Sequence, residues 1–507
     1  MKKLLFICTA ALITFALILT PFTVGQVQAK PDSDRLPTDP SYEEIDAYIE
    51  KQLEALNIPG AALVIVEGDR IVHFKGFGVT GPEGGVPTPQ TPYFIGSLTK
   101  SFTALATMQL VEAGKIELDA PIQHYLPWFT LADPKAAAQI TVRHLLNQTS
   151  GIAQIPGMIA LGNFDNSPGA AERQARALAT YELARSVGSG WEYSNLNFSL
   201  LGLVIEAGSG ETYTDYIQNH IYAPLNMHHS FTSKSEARQD GLAVGHMQWF
   251  GFPVAVPDLP IASASLAGGY LIASAEDLGH YLIAQLNQGE YAGVRVLSSD
   301  GIAQMHQPAA SVDVAGIHEA DYGMGWFIKE FDQKQLVFHT GEVPDYFAYM
   351  ALLPEKKRAM GLLVNTMEQA YNYSLWTLGE NVALWLAGQP PQPNTWAVLP
   401  WAVRSVLLLP VLQIIAIAVT LKKVIRWRLD PTSRPGPVRL WLLHILLPTI
   451  LNLLLVLIAA AILASGMLKF IMLFMGDIAS VLLISGVIAL VWCIVRTCLI
   501  LKAPKID

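Results

Sequence analysis

The chain has 507 residues, with 33 Lys+Arg against 42 Asp+Glu and a formal net charge of −9; this length exceeds what one hydrophobic core usually organises. The charge is uneven: residues 30–393 carry 20 Lys+Arg against 39 Asp+Glu, whereas 394–507 carry 11 against 3. An acidic globular part without basic and aromatic residues interleaved argues against nucleic-acid binding and against electrostatic adhesion to anionic lipid.

At the N-terminus Lys2 and Lys3 precede the apolar run Leu4 to Leu19, and Val27-Gln28-Ala29 offers small residues for cleavage. Residues 1–29 therefore read as a secretory signal peptide, with an uncleaved anchor as the alternative, and either exports the rest. The three cysteines are Cys8, in this segment, and Cys493 and Cys498, in an apolar tail. The globular part expected over 30–388 has none, which leaves neither a disulfide framework nor a thiolate metal site.

Tyr42 to Leu56 has apolar residues at helical spacing (Ile45, Ile49, Leu53, Leu56), and Ala61 to Val66 and Arg70 to Phe77 read as a hairpin around Glu67-Gly68-Asp69. A glycine- and proline-rich loop then delivers the chain to Phe94-Ile95-Gly96-Ser97-Leu98-Thr99-Lys100, followed by a helical run from Ala104 to Ala113. Lys100, three residues after Ser97, falls on the same helical face one turn on. A hydroxyl at a helix N-terminus with an amine behind it has the parts of an activated nucleophile. Alone, the tetrad is weak, because a capping serine followed by a solvated lysine looks the same.

A short helix and a polar turn are expected over Ile140 to Ile152, and helices and loops to about residue 310. Strand-like runs return at Leu336 to His339, Tyr346 to Leu353 and Met360 to Val364, before a closing helix from Glu368 to Leu386. Strands at both ends with helices between them predict one antiparallel sheet flanked by helices, an α/β (α+β) class. The proline-rich stretch at 389–398 reads as a linker.

Beyond it, 399–507 reads as a membrane domain, with apolar stretches near 400–421, 440–464 and 472–498 each long enough to span a bilayer. Lys422, Lys423, Arg426, Arg428, Arg434 and Arg439 lie between the first two, but only Lys469 between the second and third. The excess of positive charge predicts a cytoplasmic basic loop and C-terminus, with the globular domain outside the cytoplasm. His444, Asn452 and Asp477 are polar groups in these stretches, read as packing or interfacial residues.

Two further motifs join the tetrad: Tyr193-Ser194-Asn195 before an apolar helix from Leu196 to Ala207, and His339-Thr340-Gly341 at the end of a strand. Ser-x-x-Lys, Tyr-x-Asn and His-x-Gly in this order resemble the serine hydrolases of the penicillin-binding-protein and class C β-lactamase superfamily. Ala267-Gly268-Gly269 and Tyr322-Gly323-Met324-Gly325-Trp326 fit the same pattern, and the resemblance covers roughly residues 42–388. It implies a DD-peptidase/β-lactamase-like fold and an acyl-enzyme mechanism without metal or cofactor. Ser97 would be the acylated nucleophile, Lys100 its base partner, and Tyr193 a general acid or base. Asn195 would orient Lys100 and a substrate amide, and His339 and Thr340 would line the substrate edge of the sheet. The N–H groups of Ser97 and Glu342, the residue after Gly341, would form the oxyanion hole.

The pattern departs from many penicillin-recognising relatives, which have lysine where this chain has His339. The Glu342 charge, if it faces the cleft, would disfavour substrates with a free carboxylate; if it faces solvent, only its N–H matters. A secreted domain followed by three spans is also similar in layout to membrane-anchored, colibactin-type peptidases that remove an acyl-D-amino-acid prodrug group. A catalytically weak binding or sensing module is a further alternative. The expected partners are a small-molecule or peptide substrate and membrane lipid, and no nucleic acid.

Overall fold

The structure is a computed structural model that describes residues 40–162, 164–314 and 317–503; the expected signal peptide lies outside these residues. Two compact units are present, the larger built from 40–397 apart from Trp249–Gly251, the other from 398 onward.

In the larger unit, Ser41 and Glu44 form a capping box that starts helix α1 (Tyr42–Ala55), whose buried stripe is Ile45, Ile49 and Leu53. The hairpin follows as β1 (Gly60–Glu67) and β2 (Arg70–Gly78). The late strands are β3 (Ala310–Val314), β4 (Ile317–Tyr322), β5 (Phe327–Phe331), β6 (Lys334–Val343), β7 (Tyr346–Leu353) and β8 (Arg358–Val364). Together they make one eight-stranded antiparallel sheet in the order β2-β1-β8-β7-β6-β5-β4-β3. β1 from the start of the chain pairs with β8 near its end, Ala61 opposite Val364, so the sheet closes from both ends as expected.

The strands β3, β4 and β5 lie just past the region read as helix and loop, in a stretch to which the sequence assigns no strand. Their buried residues are few (Val312, Ala320, Tyr322, Phe327, Ile328), and β3 and β4 are otherwise largely exposed at the sheet margin. Only β3 alternates cleanly (Ala310, Val312, Val314 against Ser311 and Asp313), over just five residues, and neither β4 nor β5 continues a strict period of two.

Helices α2 (Thr99–Glu112) and α3 (Asn195–Ser209) form the heart of the helical region. Eleven of the fourteen α2 residues are buried, so it is enclosed on nearly every side. Helix α4 (Ala275–Leu286) covers β1 and β8, and the closing helix α5 (Asn372–Leu386) covers β7. The expected closing helix from Glu368 begins later, after a 3₁₀ turn over Gln369–Tyr371. The linker is tied to α5: Asn381 donates to the Gln392 carbonyl at 2.8 Å and accepts from its N–H at 2.9 Å.

The smaller unit holds three helices long and apolar enough to cross a membrane, Thr395–Leu429, Pro437–Ala464 and Leu468–Leu501. Gln413 donates to the Ser485 carbonyl at 2.9 Å, and Arg496 to the His444 carbonyl. Asp477 is buried two residues past a break in helical geometry at Met475, where it accepts from the N–H of Ile478.

Candidate active site

A short strand, Pro92–Phe94, pairs with Ile272–Ser274 and brings the chain to Ile95. Gly96 then takes a positive φ of 53°, and one 3₁₀ turn, Gly96–Leu98, carries Ser97 into α2. This turn lies against β6. A Cβ on Gly96 would run into the N–H of Glu342, and one on Gly341 into the carbonyl of Ile95. Both glycines are thus required for close backbone approach, and they bring the backbone of Glu342 to that of Gly96, the residue before Ser97. Placing the start of α2 at Thr99 puts Ser97 ahead of the α-helix proper, in its 3₁₀ entry turn.

Lys100 is wholly buried, and its Nζ lies 2.8 Å from Ser97 Oγ, 2.8 Å from Asn195 Oδ1 and 2.6 Å from the carbonyl of Gly268. The amide oxygen and the carbonyl can only accept. A neutral amine satisfies both with its two N–H groups, which leaves its lone pair facing the Ser97 hydroxyl. Burial pushes Lys100 well below the usual lysine range and outweighs the opposing pull of the Glu342 charge. On the other side, Tyr193 donates its hydroxyl to Ser97 Oγ at 2.8 Å. Burial raises this phenol above its ordinary value; the bond to Ser97 opposes the rise and Glu342 adds to it. Tyr193 is therefore a phenol, not a phenolate, at neutral pH.

The loop that presents Tyr193 is braced by the stretch from Ile140 to Ile152, whose Ser150-Gly151 the family resemblance also covers, and by Asn197, which no motif had singled out. Gln148, at a positive φ of 57°, accepts at its carbonyl from Glu192 N–H (2.8 Å) and at Oε1 from Ser194 N–H (3.0 Å). It also accepts from Asn197, which in turn accepts from Ser150 at 2.7 Å. The stretch from 140 to 152 thus acts as a brace, and Asn195 is the first residue of α3 instead of the last of a loop. Gly268, which holds Lys100 through its carbonyl, lies in a stretch the sequence had marked, though only by resemblance.

On the sheet, Thr340 and Gly341 are buried beside the turn, but the ring of His339 does not face open solvent: it is 1% exposed. Its Nδ1 donates to the Thr340 carbonyl at 2.6 Å, its Nε2 faces the Tyr322 hydroxyl at 3.4 Å, and Phe327 packs 5.1 Å from it. Burial, reinforced by Lys100, lowers it to about 3, so it is neutral near pH 7. The Glu342 carboxylate neither hangs freely in the cleft nor points to solvent. It accepts from Trp376 Nε1 at 2.7 Å and from Asn372 Nδ2 at 3.1 Å, both on α5.

The beta-lactamase family matches residues 45–383. Protein flp of Staphylococcus aureus (strain MW2) is 31% identical over 332 residues, 65% of this chain and 64% of that relative, so the match leaves about a third of its length uncovered. Penicillin-binding protein 4 of Amycolatopsis lactamdurans is 31% identical over 337 residues, covering 63% of this chain and 85% of the relative. Among solved structures, the octameric penicillin-binding protein homologue from Pyrococcus abyssi superposes with a TM-score of 0.61 at 29% identity, over 70% of this chain and 79% of that one. A class C beta-lactamase mutant superposes at 0.54 with 20% identity, over 64% of this chain and 92% of that one, a likeness of fold. With the fold and the family match in agreement, the chain belongs to the beta-lactamase family of serine hydrolases.

Proposed function

We propose that this chain is a membrane-tethered serine hydrolase that cleaves an amide or ester outside the cytoplasm through an acyl-enzyme on Ser97. The observation that carries the reading is the buried Lys100 amine, whose two acceptor-only partners turn its lone pair to the Ser97 hydroxyl. In acylation, Ser97 Oγ attacks the substrate carbonyl carbon as its proton passes to Lys100 Nζ. The N–H groups of Ser97 and Glu342 receive the negative charge on the carbonyl oxygen. The bond to the leaving group then breaks, with Tyr193 giving that group its proton and regaining one from the Lys100 ammonium. Water attacks the acyl-enzyme by the reverse relay, releasing the acid and restoring the Ser97 hydroxyl.

The protein should be tested as the detergent-solubilised full chain, labelled with a fluorophosphonate and a penicillin side by side. Intact mass and peptide mapping should place one adduct on the Ser97 peptide and none on a folded Ser97→Ala variant. An equal adduct on that variant, or no label on folded wild type with either reagent, would sink the assignment.

A further inference from the structure

We infer that Glu342, Tyr373 and Trp376 form a cation subsite that favours substrates bearing an ammonium group next to the scissile carbonyl; this deepens, and rests on, the Ser97 acyl-enzyme reading. The Glu342 carboxylate takes one hydrogen bond on each oxygen, Trp376 on Oε1 and Asn372 on Oε2. Each oxygen keeps a further lone pair. Among the described residues no Lys, Arg or His lies within ion-pair distance of it; the cation that feels its charge is Lys100. Burial raises the Glu342 carboxyl, while the hydrogen bonds from Trp376 and Asn372 and the nearness of Lys100 oppose that rise. The carboxylate that those donors hold has no neutralising cation beside it when Lys100 is neutral. Its field reaches Lys100, Tyr193 and Tyr373, the first two of which touch Ser97.

Trp376, which donates to the carboxylate, is part of a small aromatic group. Tyr373, 40% exposed, lies 6.4 Å from Trp376 at 56° and is stacked on Trp396 at 4.6 Å. A carboxylate fixed by the N–H edge of Trp376, with the half-exposed ring of Tyr373 packed on that tryptophan, suits an ammonium chiefly through its charge. A substrate carbonyl bonded to the Glu342 N–H lies within one side-chain length of that carboxylate, so a cation close to the scissile bond reaches it. A substrate carboxylate there meets like charge.

The hydrogen bonds to α5 also hold β6 in place, and Glu342→Gln separates that role from charge. Its amide oxygen can keep the Trp376 bond, and its NH₂ can donate to Asn372 Oδ1, which is buried without a partner and becomes the acceptor when that amide turns over.

The test uses the full chain and three thioesters read by thiol release: acetylthiocholine, its neutral isostere with a tert-butyl group for the trimethylammonium, and S-acetyl-mercaptopropionate. Each is also scored for how well it slows fluorophosphonate labelling of Ser97, which requires no turnover. In wild type the cationic ester should exceed its neutral isostere by about tenfold or more, in kcat/KM or in protection, with the anion weakest. In Glu342→Gln that ratio should fall to about two or less. A ratio near one in wild type, or one unchanged by Glu342→Gln, overturns the subsite while leaving the acyl-enzyme intact. A folded wild type that neither labels nor turns over any of the three overturns the acyl-enzyme reading, and the subsite with it.

Discussion

Lys100 has three polar partners within 2.8 Å and no exposed surface, so its protonation state is set by burial against the Glu342 charge. Burial lowers its pKa, which makes the neutral amine available at working pH; activity should rise with pH through that lowered value and then level off. Because Glu342 raises the pKa of Lys100, Glu342→Gln should move the acid limb of kcat/KM on a neutral ester to lower pH. An unmoved limb would show that the carboxylate is screened from the amine. Lys100→Arg should be nearly inactive despite keeping its charge, since a guanidinium cannot take a proton near neutrality. Tyr193→Phe should lose on the order of a hundredfold or more in kcat, as removal of an acid–base group does. Retained turnover in Lys100→Arg, measured on an aryl ester, would refute the mechanism.

The elements that matter most are β6, β7 and the turn between them, because this segment carries the proposed oxyanion donor. Pro344 followed by Asp345 at φ 69° has the order expected of a type II turn. Asp345 is 2% exposed, and its Oδ1 has no hydrogen-bond partner. Burial pushes this carboxyl up to about 7, against an ordinary 3.8. Between those values the folded state holds a proton that the unfolded state releases. The stability it contributes is full below about pH 3.8 and is lost as pH rises through about 7. Asp345→Asn keeps a residue that tolerates positive φ and removes the charge. The stability gain should be larger at about pH 8.5 than at about pH 5, by on the order of 2 kcal/mol. Thermal melts at the two pH values check this, and an equal shift at both would mean that the carboxylate is solvated.

For the molecule as a whole, the testable claim is topology. Six basic residues, Lys422 to Arg439, cluster where the first apolar helix ends and the second begins, with Arg434 in the connection itself, whereas Lys469 alone marks the junction of the second and third. That asymmetry supports a cytoplasmic basic loop and C-terminus. Reporter fusions after Asp507 and within the loop near Pro431 should report cytoplasm, and one near Gly466 the outside. A C-terminal reporter active only outside would mean that the number of spans differs from three.

Read without coordinates, the chain already specified features encoded locally: the one-turn spacing of Ser97 and Lys100, the helix at 42–55, strands near both ends, and three apolar helices. Each is a matter of period or composition within a window, which is where sequence is informative. The β3 to β5 margin escaped because its strands are only five or six residues long and the alternation of β3 is not carried on into β4 and β5. Tertiary structure alone decided which way groups point. Asn195 and Gly268 meet Lys100 because α3 and the Leu266–Gly269 turn pack on α2. In a strand, neighbouring side chains leave on opposite faces. Gly341 thus turns toward Ile95 and Leu98, while Glu342 turns toward α5 and finds Asn372 and Trp376. The fate of that carboxylate depends on partners thirty and thirty-four positions away, and no local window of the chain contains them.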